Sequence, residues 1–152
     1  MVRNGLLMRN MIEILMVEDN PGDVGLTKAA LEDAKIANSL HVATNGEEAL
    51  AFLKREGKFA ESPRPDIILL DLNLPGMHGA ELLEQIKEDE AFSSIPVVVL
   101  TTSTADEDIL KAYELHAACY ITKPVDLDQF TKVVQSLEDF WFAVVKLPPR
   151  ED

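Results

Sequence analysis

Three carboxylates stand where short apolar runs stop. Glu18 and Asp19 follow a run that ends at Val17, and Asp71 follows one that ends at Leu70. A carboxylate in such a place can act as a nucleophile or hold a hard cation. Two further runs end in hydroxyls and an ammonium group: Thr101-Thr102-Ser103 after Leu100, and Thr122-Lys123-Pro124 after Ile121. A carboxylate nucleophile, a metal, a hydroxyl and a lysine are the parts that phosphoryl transfer needs. The transferred group spreads negative charge over its oxygens, and the protein must position and neutralise them. Like charges gathered in a dry cleft repel, so an acidic cluster calls for a cation. Oxygen ligands favour Mg2+ or another hard divalent ion such as Mn2+. Each residue also has a plainer reading. Glu18 and Asp19 can simply favour the start of a helix at Pro21, a threonine at a strand end is usually structural, and a lysine is usually solvated. Four strand ends carrying complementary groups make coincidence a poor explanation.

The elements that must position these groups are legible in the hydrophobic pattern. Apolar runs rich in β-branched residues recur at Ile12–Val17, Leu40–Ala43, Ile67–Leu70, Val97–Leu100 and Cys119–Ile121. The first, third and fourth are almost continuously apolar, as strands covered on both faces are. Helical periodicity lies between them. Asn20-Pro21 supplies a cap and a first-turn proline, and Leu26, Ala29, Ala30 and Leu31 give an apolar stripe. Asn45 and Glu48 form a capping pair for a second helix, which Gly57 is placed to end. Leu82, Leu83 and Ile86 mark a third helix, and Ile109, Leu110 and Tyr113 a fourth. A fifth begins near Asp126 and carries Phe130, Val133, Val134 and Leu137. The segment Lys58–Arg64 reads as a surface loop. The pattern is α/β, (βα)5, a doubly wound parallel five-stranded sheet with helices on both faces. The flavodoxin-like order 2-1-3-4-5 is expected, which makes the first and third strands neighbours at the ligand-binding switch point. Glu18, Asp19 and Asp71 then converge.

Bulk composition narrows the partners. With 27 acidic against 14 basic residues the net charge is −13, a field that repels nucleic acid and anionic membranes. No apolar run approaches the roughly 20 residues that span a bilayer. The single cysteine, Cys119, cannot form an internal disulfide and fits a cytoplasmic location. At 152 residues the chain can bury one adequate core. Residues 1–10 read as a disordered extension, with Met11 a possible natural start and 11–147 a single domain with an extended C-terminal tail and no output domain.

In order and spacing, LMVEDN, IILLDLNLPGMHG, VVVLTTS and YITKP resemble the receiver domain of two-component response regulators over roughly residues 12–140. The resemblance implies that Asp71 accepts a phosphoryl group from a sensor histidine kinase. Glu18 and Asp19 would be the acid pair at the metal, with Asn73 offering its main-chain carbonyl. Lys123 would contact the phosphoryl group and precede a cis Pro124. Thr101 would swing toward the phosphoryl oxygen, with Tyr120 rotating inward as its aromatic switch partner. Asn73 and Ser103 fall at the positions that tune the lifetime of the acyl phosphate, and Gly79 matches the family's glycine after the third strand. Three departures are His78, where an acid is common, a long loop at Gly57–Pro65, and the segment Phe140–Val145, which extends past an ordinary receiver's last helix. The protein so implied helps to catalyse its own modification and resets by hydrolysis, without being a metabolic enzyme.

A finer resemblance links NSLHVATNGEEALAFL, DLNLPGMHG, LHAACYITKPVDLDQF and the late FWF to the small response regulators of phytochrome-type histidine kinases. Phe140, Trp141 and Phe142 are consecutive, so one helical face cannot bury them all. They point to a homodimer surface, with packing on their own domain as the alternative. The family's self-association face, made by the fourth helix, fifth strand and fifth helix, is also the surface expected to switch. Three other readings fit the residues less well. An aspartyl-nucleophile phosphohydrolase normally has a second acid where this chain has Asn73. A flavin module would be repelled at Glu18-Asp19-Asn20. A phosphorylation-independent scaffold has no need of an intact site.

Overall fold

The structure, a computed structural model, describes residues 11–33, 37–101, 114, 116–117, 119–122 and 132. The chain runs β1 (Ile12–Val17), α1 (Pro21–Asp33), β2 (Asn38–Ala43), α2 (Gly46–Lys54), a 3-10 turn (Gly57–Phe59), β3 (Ile67–Asp71), α3 (Gly79–Glu88), β4 (Val97–Thr101) and β5 (Cys119–Thr122). Apart from Glu114 and Lys132, both helical, the fourth and fifth expected helices lie outside the described residues. All strands pair in parallel in the order β2-β1-β3-β4-β5, the flavodoxin-like arrangement expected from the sequence.

Side chains alternate across the sheet, as the strand period requires. Leu15, Val17, Ile68, Leu70, Val97 and Val99 pack with Phe52 and Leu53 of α2 and with Leu82, Leu83 and Ile86 of α3. Ile14, Met16, Ile67, Leu69, Val98 and Leu100 face the other way, toward Ala30 and Leu31 of α1. Both faces are thus covered, which is why these strands read as almost continuously apolar runs.

Helix ends follow local chemistry, with three corrections to the sequence reading. Asn20 caps α1 as expected, its Oδ1 accepting from Gly22 N at 2.8 Å and Asp23 N at 3.3 Å. The buried stripe of α1, however, is Thr27, Ala30 and Leu31 with Val24 half-buried, whereas Leu26 is 50% exposed and Ala29 is exposed. Thr27 fits because a helical hydroxyl can satisfy itself against the preceding turn, so periodicity counted on apolar residues alone rotated the helix wrongly. Asn45 Oδ1 accepts from Glu48 N at 2.7 Å, and Glu48 Oε1 reaches back to Thr44 N at 3.4 Å, a capping box displaced by one residue. The second correction concerns Gly57: α2 ends in the left-handed residue Arg55 (φ 56°), and Gly57 (φ 59°) opens the 3-10 turn instead. Third, His78 is more than a loop residue. It is the N-cap of α3, with Nδ1 accepting from Ala80 N at 3.3 Å.

The long loop after α2 is anchored as well as exposed. Phe59 stacks edge-on against Phe52 at 5.4 Å, and the Arg64 guanidinium donates to Ala91 O and to Ser94 Oγ. From the other side, Lys87 Nζ donates to Ser93 O at 3.1 Å and Ile95 O at 2.8 Å. Burial pushes the Lys87 ammonium below the usual lysine range. Two cations therefore hold the carbonyls of one connection leading into β4. No helix among the described residues is long and apolar enough to cross a membrane.

Candidate functional site

Strand register builds the site. Val17 pairs with Leu70, Asp71 with Leu100, and Thr101 with Thr122. The residues that follow β1 and end β3 and β4 thus emerge at one edge, the carboxyl ends of the strands. Ligand atoms of Glu18, Asp19 and Asp71 all lie within 4.8 Å of one another. Glu18 is 1% exposed and Asp71 6%, whereas Asp19 faces solvent. Two carboxylates are therefore largely withdrawn from water and the third guards the opening.

The surrounding backbone is oriented to hold these groups. Asn20 N donates to Glu18 Oε2 at 3.2 Å, and Asn73 N donates to Asp71 Oδ1 at 2.9 Å. The loop between β3 and α3 closes on itself through Gly79 N donating to Leu72 O at 3.1 Å. That closure needs glycine: a Cβ at Gly79 would sit 2.5 Å from both Asp71 O and Leu72 Cα. Leu72 and Leu74 are buried on either side of Asn73, so the loop is tied to the core just beyond Asp71.

The donor set suits a hard divalent cation. Carboxylate oxygens are the ligands such ions prefer, and crowded negative charges of low exposure are relieved by one. Of the residues expected at this site, the fold brings together Glu18, Asp19, Asp71 and Asn73. Thr101 is the last residue of β4 and Tyr120 the second of β5. Lys123, Pro124 and Ser103 lie outside the described residues, as do Phe140, Trp141 and Phe142. The sequence reading missed the capping role of His78 beside this loop. Its signal was present: an acid is usual at that position, and acids cap helices. A groove lined by Leu50, Lys54, Gln85, Glu88, Asp89, Glu90 and Phe92 opens at the far ends of α2 and α3, and it gathers no set of reactive groups.

Comparison with known proteins agrees with this geometry. Residues 14–135 match the response regulator receiver domain, and the chain belongs to that family of signalling proteins, in which phosphorylation falls on an aspartate. More particularly, it is 45% identical to response regulator Rcp1 of Synechocystis sp. over 135 residues, covering 89% of this chain and 92% of that one. The solved structure of the phosphorylated cyanobacterial phytochrome response regulator RcpA superposes with a TM-score of 0.76 at 43% identity, covering 88% of this chain and 96% of that one. The Mn2+-bound form of Rcp1 does so with a TM-score of 0.76 at 44% identity, covering 90% and 99%. The chain is thus a receiver-domain response regulator homologous to those of phytochromes.

Proposed function

We propose that Asp71 is the phosphoacceptor of this receiver and that a phytochrome-type sensor histidine kinase is its donor. The observation that carries the reading is the meeting of Glu18, Asp19 and Asp71 within 4.8 Å at the carboxyl edge of the sheet. Support for the partner comes from the similarity to Rcp1 and RcpA, the latter a phytochrome response regulator solved in its phosphorylated state.

In this reading Glu18, Asp19, Asp71 and the main-chain carbonyl of Asn73 hold Mg2+ or Mn2+. Bound there, the cation supplies charge neutralisation for the carboxylates and the incoming phosphoryl oxygens. The Mn2+-bound form of Rcp1 supports the choice of ion. A carboxylate oxygen of Asp71 forms a bond to phosphorus as the bond from phosphorus to the kinase histidine nitrogen breaks. The electron pair returns to that imidazole, which then takes a proton from solvent. The Asn73 N–H to Asp71 Oδ1 bond helps to keep the carboxylate turned to one rotamer for the attack. Lys123 and Thr101 meet the phosphoryl oxygens. Thr101 and Tyr120 then switch the face made by the fourth helix, β5 and the fifth helix. Phe140, Trp141 and Phe142 serve a homodimer contact. Water resets the acyl phosphate at a rate tuned by Asn73 and Ser103. The reaction takes place in the cytoplasm, where a kinase module and a lone cysteine both belong.

The test is incubation with Mg2+ and a small acyl phosphate, followed by intact mass, for the wild type and Asp71→Asn. Labelling that requires Mg2+ and disappears in Asp71→Asn is the expected result. Labelling that persists in Asp71→Asn would refute the assignment, and a folded wild type that takes no label would point to the scaffold role instead.

A further inference from the structure

The loop carrying Asn73 is fixed at its two ends by Asp71 and Gly79 and tied to the core by Leu72 and Leu74, and its outer part, residues 75–78, is held inward by a thioether. Pro75, Gly76 and His78 are exposed, whereas Met77 turns inward and is only partly exposed. Its side chain lies over Gly46, the first residue of α2. A Cβ built on Gly46 would meet Met77 Sδ at 2.8 Å, Cβ at 3.0 Å and Cγ at 3.2 Å. Gln85 of α3 places Nε2 3.8 Å from the same sulfur. Met77 therefore spans from the loop to the first turn of one helix and the middle of the next. Gly46 is buried, and α2 is set at this end by the Asn45 cap, so the surface under the thioether is rigid. The same loop donates Asn73 N to Asp71 Oδ1 at 2.9 Å.

We infer that Met77, packed into the notch left by Gly46, is a positioning residue that holds the β3–α3 loop so that Asn73 presents its backbone to the cation and to Asp71. The inference rests on the metal reading given above. Groups that orient metal ligands without touching the metal typically alter affinity by about ten- to a hundredfold. A methionine suits the task because its thioether fills an irregular gap between two helices. Gly46 matters as space for that side chain, and a methyl group there would push the thioether, and the loop with it, outward.

The test uses Mn2+ alone, with the free ion counted by electron paramagnetic resonance, and urea unfolding to fix the folded fraction of each variant. Wild-type binding that is lost in Asp19→Asn establishes the metal site independently of Met77. Met77→Ala is then expected to weaken Mn2+ binding by about tenfold while still folded, and Met77→Leu, of similar volume, to remain within about threefold of wild type. Gly46→Ala should weaken binding in the wild-type background. In the Met77→Ala background it should change binding by less than about twofold, because residues acting through one contact are not additive. Met77→Ala binding Mn2+ as tightly as wild type, with only its unfolding midpoint shifted, would make the residue merely structural and overturn the inference. Independent, multiplicative effects of the two substitutions would overturn the contact as its cause. A wild type that binds no Mn2+ would overturn the metal reading, and the inference with it.

Discussion

Replacing Gly79 with alanine should damage the fold and the chemistry together, and the structure sets the size of both effects. The new methyl carbon would lie 2.5 Å from Asp71 O and 2.5 Å from Leu72 Cα, where ordinary contact begins near 3.4 Å. Something must yield by about 0.9 Å, the difference of those distances. Neither neighbour is the free end of a side chain. Asp71 closes a fully buried strand, and Leu72 is itself buried in the core. Either Leu72 is driven into packed neighbours, at about 1–3 kcal/mol, or the start of α3 lifts away and the Gly79 N to Leu72 O bond is lost, at about 1 kcal/mol. Unfolding in urea should then show a loss of roughly 1–3 kcal/mol, a midpoint lower by about 0.5–1.5 M for a typical slope of about 2 kcal/mol/M. A displacement of about 1 Å at a reacting group can cost about a hundredfold in rate, so labelling of Asp71 by acyl phosphate should slow by that order in protein that is still folded. Gly25→Ala is the control. A Cβ at Gly25 meets nothing within 4 Å, and in the exposed interior of α1 alanine should add about 0.4–1 kcal/mol of stability with labelling unchanged. A Gly79→Ala protein that unfolds at the wild-type midpoint and labels within threefold of its rate would refute the argument.

Two further outcomes are expected. His78→Asp should raise stability by about 0.5–1 kcal/mol in urea titrations, because a carboxylate caps α3 and favours its positive end better than an imidazole does. Lys87 has its pKa lowered by burial, so between its folded value and the ordinary 10.5 the unfolded chain binds more protons. Its contribution to stability therefore rises with pH through that alkaline window. The stability of wild type minus that of Lys87→Met, measured by urea titration across the window, should climb with pH, and a flat difference would contradict the burial argument.

The chemistry of this protein and the order of its elements were written in the chain itself. Strands buried on both faces must be apolar where they are covered, so β1, β3 and β4 appear as nearly unbroken runs, broken only by Glu13 near the start of β1. The groups that follow Val17, Leu70 and Leu100 are then at strand ends whatever the details of packing. Caps such as Asn20 and Asn45 act within three residues and are equally local. The rest depended on distances that sequence does not hold. Thr27 rather than Leu26 faces the sheet because the whole helix is rotated by what Ala30 and Leu31 must touch. Arg55 rather than Gly57 closes α2, since a left-handed residue is tolerated where the chain has to turn toward the Phe52–Phe59 contact. His41 Nε2 lies 2.7 Å from Glu13 Oε2, and Arg64 reaches Ser94 across 30 positions, pairings that only the sheet register and the loop path create. The carboxylates themselves are the clearest division. Their types and places at strand ends are local facts, but bringing Glu18, Asp19 and Asp71 within 4.8 Å required β1 to lie beside β3 with Val17 opposite Leu70. Packing enforces that register, because Leu15, Val17, Ile68 and Leu70 fit against α2 and α3 while Ile14, Met16, Ile67 and Leu69 fit against α1, and a slip by one residue would exchange the two sets.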